Sequence, residues 1–316
     1  MKNNLYDVII IGGGPAGLTA GLYAGRGLLK TLLIERTKHG GQAVTTSEID
    51  NYPGADLEET GPSLIAKMVK QAERFGVEFI TDDITAVQLD GDIKTLTGEK
   101  ETYSAKTVII ACGAYPRQLG CKGEQEFTGK GVSYCATCDA AFFEELEVYV
   151  VGGGDSAVQE ALFIARFARK ITILQDLPEL TAAKSLQQKV LGDPKFSFVY
   201  NSLVEELKGE EGLLDTIIIK DKNTGEATEF NADPEDGTFG IFVFIGLIPR
   251  TDMFKGKVDM DRGYIITDEK MRTSIPGVYA VGDCRVKPLR QVVTATADGA
   301  IAAMQIEHFL SEQCEI

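Results

Sequence analysis

Two segments of this chain follow one plan, and together they confine it to few folds. Tyr6–Leu22 and Glu147–Leu162 each run from apolar β-branched residues through a glycine turn into small and apolar residues. Each is followed by a second apolar run, Thr31–Glu35 or Ile171–Gln175. This is the pattern of a βαβ unit, and continuous apolar strands suit parallel sheets covered on both faces. The chain is therefore expected to be α/β, with two Rossmann-like, three-layer nucleotide-binding domains of ββα/βαβ type. Crossings near Ala114–Leu119 and Gly246–Arg250 predict that the second domain is inserted into the first. The expected borders give a discontinuous domain of residues 1–115 and 247–316 around an inserted domain of residues 116–246.

The intervening sequence is read more coarsely. Thr60–Phe75 reads as a helix with Pro62 near its start. Between Val77 and Thr107, short strand-like runs are broken at Asp90-Gly91 and Thr97-Gly98-Glu99. Val108–Ala114 returns to the sheet. Thr216–Lys220, Phe239–Ile245, Gly263–Thr267 and Gly277–Asp283 read as further strands or their ends, and Val292–Leu310 as a final helix.

The chain has 316 residues, a size for two domains. A net charge of −15 argues against nucleic acid, whose phosphates need basic surface. No segment is long and apolar enough to span a membrane, and the N-terminal residues lack the pattern of a secretory signal. The expected compartment is the cytoplasm, where a C-x-x-C is more often catalytic than structural.

Gly12, Gly14 and Gly17 satisfy G-x-G-x-x-G between a strand and a helix. Such glycines let backbone N–H groups approach a pyrophosphate, and the helix N-terminus favours its charge. Glu35 ends the second strand, where an acid binds a ribose hydroxyl. Asp283 ends a late strand and is read as a hydroxyl-binding carboxylate rather than a solvated turn residue.

Cys135-Ala-Thr-Cys138-Asp139 carries the reactive chemistry. Thiolate is the nucleophile of disulfide exchange, and C-x-x-C pairs commonly lower one thiol pKa. Asp139 can pass a proton to a leaving thiolate. A zinc half-site is the competing reading, but there is no second C-x-x-C, and the only histidines are His39 and His308. An inert structural disulfide is the other competitor, and it suits a reducing compartment poorly. Cys112, Cys121, Cys284 and Cys314 read as small core or surface residues. His39 precedes Gly40-Gly-Gln42, and His308 reads as a helix-face residue.

With these strings in place, the chain resembles the low-molecular-weight thioredoxin reductases over nearly its full length. The resemblance rests on Gly12–Leu18, Gly40-Gly-Gln42, Asn51-Tyr-Pro-Gly54, Cys135–Asp139, Gly152–Ala157, Val281-Gly-Asp283 and Arg290–Thr294. It implies FAD held by the first unit, with Gly12, Gly14, Pro15, Ala16, Gly17, Glu35, Arg36 and Gly41 about the nucleotide. Gln42 and Asn51 then lie near the flavin, and Asp283 on the ribityl chain. Arg290, Gln291 and Val292 lead into a helix aimed at the ring. It also implies a homodimer, a Cys138 that faces the flavin, and a dithiol of Cys135 and Cys138 that reduces thioredoxin.

Two departures stand out. The family usually has glycine after the aspartate of C-x-x-C-D, and here Ala140 predicts a tighter or repacked turn. The larger one follows the second strand of the second unit. NADPH-using relatives carry a His-Arg-Arg run and a further arginine there, to hold the 2′-phosphate. Here the aligned residues are Gln175, Asp176 and Leu177, and the later arginine is missing. Arginine forks suit phosphate and a carboxylate repels it. Two unit charges roughly 4 Å apart interact by about 4 kcal/mol at an effective dielectric near 20. Lys184 is a single flexible substitute.

The expected donor is therefore not NADPH but reduced ferredoxin, as in the ferredoxin-dependent flavin thioredoxin reductases, which the chain resembles in lacking the motif. Arg166, Arg169 and Lys170 offer a local basic patch for an acidic donor, or an ordinary solvated helix end. The rival expectations are an NADH-dependent reductase with Asp176 on a ribose hydroxyl, a flavin-dependent dithiol oxidase, and a non-catalytic flavin redox sensor.

Overall fold

A computed structural model describes residues 5–45, 49, 51–210 and 212–314, except for the side chain of residue 314. The chain divides into two compact units, Met1–Tyr115 with Ile248–Ile316, and Pro116–Leu247. The return border falls one residue later than the sequence suggested.

The first unit opens with β1 (Leu5–Ile11), α1 (Pro15–Arg26), β2 (Thr31–Glu35), α2 (Gly61–Arg74) and β3 (Glu78–Thr81). It continues through β4 (Ile84–Gln88), β5 (Lys94–Gly98) and β6 (Thr102–Ile110) to the crossing strand β7 (Ala114–Pro116). β3, β2, β1 and β6 are parallel neighbours in that order. The run from Thr102 to Ile110 is one unbroken strand. Its length lets two strands share its far edge: β5 pairs antiparallel along residues 102–105, and a late strand pairs parallel along 108–110.

Alternation in β1 sorts the two faces. Val8 and Ile10 join the helix-side core with Leu18 of α1 and Leu64 of α2. Ile9 and Ile11 join the opposite core with Val87 and Leu96 of the antiparallel strands. Helix α2 starts where the residues cap it: Thr60 Oγ1 accepts from Ser63 N (3.1 Å) while Ser63 Oγ accepts from Thr60 N (2.9 Å).

The second unit contains α3 (Glu124–Phe127), β8 (Val132–Ser133), α4 (Ala136–Asp139), β9 (Glu147–Val151), α5 (Asp155–Ile164), β10 (Lys170–Leu174), α6 (Lys184–Leu191) and β11 (Phe196–Val199). Then follow β12 (Ser202–Glu210), β13 (Leu213–Asp221), β14 (Ala227–Asn231) and β15 (Gly240–Val243). A parallel sheet in the order β11-β10-β9-β15-β8 forms its centre, and β12-β13-β14 form an antiparallel sheet. Val148 and Val150 pack toward α5, whereas Tyr149 and Val151 pack toward Leu214, Ile217 and Ile219 of β13. The same three layers are thus built twice. The chain returns through β16 (Leu247–Pro249), β17 (Met260–Asp261), β18 (Tyr264–Ile265), β19 (Val278–Ala280) and α7 (Val292–Cys314). β19 is the strand paired along residues 108–110 of β6.

Candidate functional site

The first unit presents a nucleotide cradle at the carboxyl ends of β1 and β2. Gly12 has φ +111°, and its N–H donates to Ile34 O at 2.8 Å. A Cβ on Gly17 would collide with Gly12 O, so this glycine keeps α1 against the turn. Gly14 differs: a Cβ there would meet nothing nearer than 3.9 Å. Packing leaves space at Gly14, which is the space a pyrophosphate backbone needs. Pro15 occupies the first turn of α1, and Ala16 is buried. Glu35 Oε2 accepts from Gly13 N at 2.7 Å, so the acid stands beside the turn. Gly41 and Gln42 open a short 3₁₀ turn (Gly41–Thr45), and Gly40 N donates to Gly13 O at 2.7 Å. Arg36 lines a cavity of about 400 Å³ with Tyr115, Pro249, Arg250, Asp252 and Met253.

The late residues converge on the same unit. Asp283 follows β19, and its Oδ1 is buried without a hydrogen-bond partner. Burial pushes its carboxyl up, against the pull of Lys287 and Arg290, with Asp298 adding to the rise. Arg290 Nε donates to Asp283 O at 3.5 Å, and its guanidinium lies 4.3 Å from the Tyr264 ring centre. Asn51 Nδ2 donates to Gln291 Oε1 at 3.2 Å, and Val292 begins α7. An orphaned carboxylate oxygen and a cradle with open space at Gly14 fit a nucleotide bearing phosphate and hydroxyl groups. His39 Nδ1 is likewise buried without a partner, and its ring meets Phe79 edge-on at 5.0 Å.

The second unit holds the sulfur chemistry. Cys135 and Cys138 form a disulfide, with Cys135 as the N-cap of α4. Ser133 Oγ donates to Asp139 Oδ2 at 2.6 Å and accepts from Cys135 N at 3.1 Å. Burial raises the Asp139 pKa, opposed by the Ser133 hydrogen bond. A carboxyl that holds its proton more tightly is suited to give it to a thiolate. Ser133 was not singled out in the sequence, since its link to Asp139 depends on β8 lying beside α4. Ala140 adopts φ −60°, ψ −33°, ordinary for any L-residue, and packs into the core. The turn therefore needs no glycine at this position.

The second glycine turn copies the first in backbone: Gly152 has φ +124°, and Gly154 has φ −84° against −77° at Gly14. Its surroundings copy it in part, since Gly13 O likewise accepts from Gly40 N after β2, but the second turn is tied at more points. Gly153 O accepts from Thr181 N (2.9 Å) and Ala182 N (3.0 Å), and Asp155 Oδ1 accepts from Ala183 N (2.7 Å). The segment after β10 is thus fastened over the turn. Gln175 is buried against Gly153. Asp176 is ion-paired: Lys222 Nζ reaches its Oδ2 at 3.2 Å and its carbonyl at 2.6 Å. Lys184 Nζ lies 3.5 Å from Gln187 Oε1 on its own helix.

Two of the three residues of the basic patch are ion-paired. Arg169 forks onto Asp236 at 2.6 and 3.2 Å, Lys170 pairs with Glu147 at 3.1 Å, and Arg166 lies over Phe163. Among the remaining cysteines, Cys284 is buried and Cys112 and Cys121 are partly buried. The Cys314 side chain lies outside the described residues. His308 is exposed on α7. Among the described residues no group of three metal-ligating side chains occurs, and no helix is long and apolar enough to cross a membrane.

Comparison with known proteins agrees with this chemistry. Residues 6–299 match the pyridine nucleotide-disulphide oxidoreductase family. A thioredoxin reductase of Peptoclostridium acidaminophilum is 58% identical, covering 99% of each chain. A thioredoxin reductase of Listeria monocytogenes is 45% identical over 98% of this chain and 96% of its own. The crystal structure of the Streptococcus pyogenes thioredoxin reductase superposes with a TM-score of 0.91 at 44% identity, covering 98% of this chain and 100% of that one. The chain belongs to the pyridine nucleotide-disulphide oxidoreductases and, within them, to the low-molecular-weight thioredoxin reductases, FAD flavoproteins whose redox-active disulfide is here Cys135–Cys138.

Proposed function

We propose that this thioredoxin reductase draws its electrons from reduced ferredoxin and not from NADPH. The observation that carries the reading is Asp176. Where NADPH-using relatives present arginine to a 2′-phosphate, this chain presents a carboxylate already held by Lys222. A phosphate there would meet like charge and would have to break that pair.

In this reading the cofactor is held by Gly12, Gly14, Pro15, Ala16 and Gly17 at the pyrophosphate, and by Glu35, Arg36 and Gly41 about the adenosine half. Gln42, Asn51, Asp283, Arg290, Gln291 and Val292 serve the flavin half. FAD, when bound, supplies a group that collects electrons singly and delivers them as a pair. The residues do the rest. Two electrons open the Cys135–Cys138 bond, and Asp139 donates a proton to the departing thiolate. One thiolate of the pair attacks a thioredoxin disulfide and forms a mixed disulfide. The other returns its proton to Asp139 and attacks that bond, releasing reduced thioredoxin and restoring Cys135–Cys138. The departing thioredoxin sulfurs take protons from Asp139 and water.

Homodimer formation belongs to the same reading. Tyr23 of α1 and Val293, Ile301 and Met304 of α7 are exposed apolar side chains. The α7 set, at spacings of eight and three, lies on one helix face. Of the basic run, Arg169 and Lys170 are ion-paired, and Arg166 lies over Phe163 with no carboxylate paired to it among the described residues, so any ferredoxin contact there would fall mainly to Arg166.

A second reading, NADH as donor, is favoured by Gly154. A Cβ there would meet only Thr181 Oγ1, at 3.8 Å, so packing does not require glycine. Reconstitution separates the two. The protein, thioredoxin and chemically reduced ferredoxin should yield thioredoxin thiols with turnover, and NADH in place of ferredoxin should not. Turnover with NADH and none with ferredoxin would reverse the assignment.

A further inference from the structure

One buried ion cluster in the first unit has no part in the chemistry described so far. Asp298, on α7, is 8% exposed, and its Oδ2 receives three donors. Gly282 N donates at 3.0 Å, Lys287 Nζ at 2.7 Å and Arg285 Nη1 at 3.3 Å. Lys287 and Arg285 are themselves only 4% and 13% exposed. Taking three charges out of water is costly, and apolar packing would serve stability as well.

The placement suggests what the cluster serves. Gly282 has φ +72°, and a Cβ there would lie 2.9 Å from the Cβ of Ala16. Asp298 thus pins a turn that presses on the first turn of α1 and carries Asp283 as its next residue. Its charge, with those of Lys287 and Arg290, is felt at the Asp283 carboxyl.

We propose that Asp298 is a positioning residue that also sets the flavin's reduction potential, by cancelling the buried charge of Lys287 beside Asp283. This rests on the reading that Asp283 faces the cofactor. Reduction adds electrons, so positive charge left uncompensated nearby favours the reduced form.

The test measures FAD affinity and the midpoint potential of the bound flavin, by equilibration with a redox dye. Asp298→Asn keeps an oxygen for Gly282 N–H and removes the charge. FAD should stay bound, and the reduced-to-oxidised ratio at fixed ambient potential should rise at least tenfold, about 30 mV for a two-electron couple. Lys287→Met alone should shift the potential downward, and this arm stands even if Asp298→Asn fails to fold. The double variant should return most of the way to wild type, which a merely structural role would not produce. An unmoved potential in Lys287→Met, or a double variant displaced as far as Asp298→Asn, would overturn the proposal. Asp283→Asn tests the underlying reading separately: unchanged FAD affinity there would remove the cofactor from Asp283, and the proposal with it.

Discussion

Lys222 holds Asp176 at two points, the carboxylate at 3.2 Å and the carbonyl at 2.6 Å. The pair joins the segment after β10 to the turn of the hairpin β13–β14. Both side chains are well exposed, so the pair contributes only about 0–1 kcal/mol to stability. In the proposed reading, its weight lies in excluding a 2′-phosphate. Replacing Asp176 and Leu177 together with arginine should create affinity for 2′,5′-ADP, measured by calorimetry, and the natural chain should show none. Equal binding by both proteins would clear Asp176 of the exclusion.

The two glycine turns give a paired test. Gly14 and Gly154 both have room for a methyl group and ordinary φ values. Gly14→Ala should lower FAD affinity by at least about tenfold, about 1.4 kcal/mol, because the methyl group enters ligand space. Gly154→Ala should leave ferredoxin-driven thioredoxin reduction unchanged. NADH-driven turnover that is present in the natural protein and lost in Gly154→Ala, with FAD still bound, would mean that the second turn carries a working nucleotide.

Cys138→Ser should abolish thioredoxin reduction while FAD remains bound with its normal absorbance. The two sites lie in different units, so losing the disulfide leaves the cradle intact. Thioredoxin reduction surviving in this variant would refute the role of the pair.

Asp139 links activity to pH. Burial raises its pKa in the folded protein, so the folded chain keeps this proton to higher pH than the unfolded chain does. The associated stability is complete below the ordinary carboxylate range and is lost as pH rises through the folded value. Asp139→Asn, which never ionises, should therefore be more stable than the natural protein at neutral pH and lose that advantage in acid, as read by urea midpoints. Its turnover should fall on the order of 10²-fold or more if Asp139 supplies the proton.

How far the sequence foretold this structure depended on where each signal was stored. The glycine turns, the C-x-x-C and the β-branched runs are local, and each reads directly onto β1, β9, α1, α5 and the disulfide. The crossings were legible because the repeat starts again at Glu147. The antiparallel sheet was half seen: Thr216–Lys220 is apolar enough to register, whereas β12 and β14 are largely polar and gain their identity from pairing with β13. Ser133, Lys222 and the fastening of Ala183 onto Asp155 were illegible, because each joins elements that only folding brings together. The partners of the basic run were illegible for the same reason, since Asp236 and Glu147 come to Arg169 and Lys170 from elsewhere in the unit.

The electron donor is the centre of this account, and one anaerobic mixing experiment bears on it directly. Oxidised, FAD-loaded protein is mixed with NADPH and, separately, with NADH, and the flavin absorbance is followed. The expected result is no bleaching by either, in protein that dithionite reduces fully. Rapid bleaching by NADPH would contradict the exclusion at Asp176, and bleaching by NADH alone would make Asp176 a ribose ligand and end the ferredoxin reading.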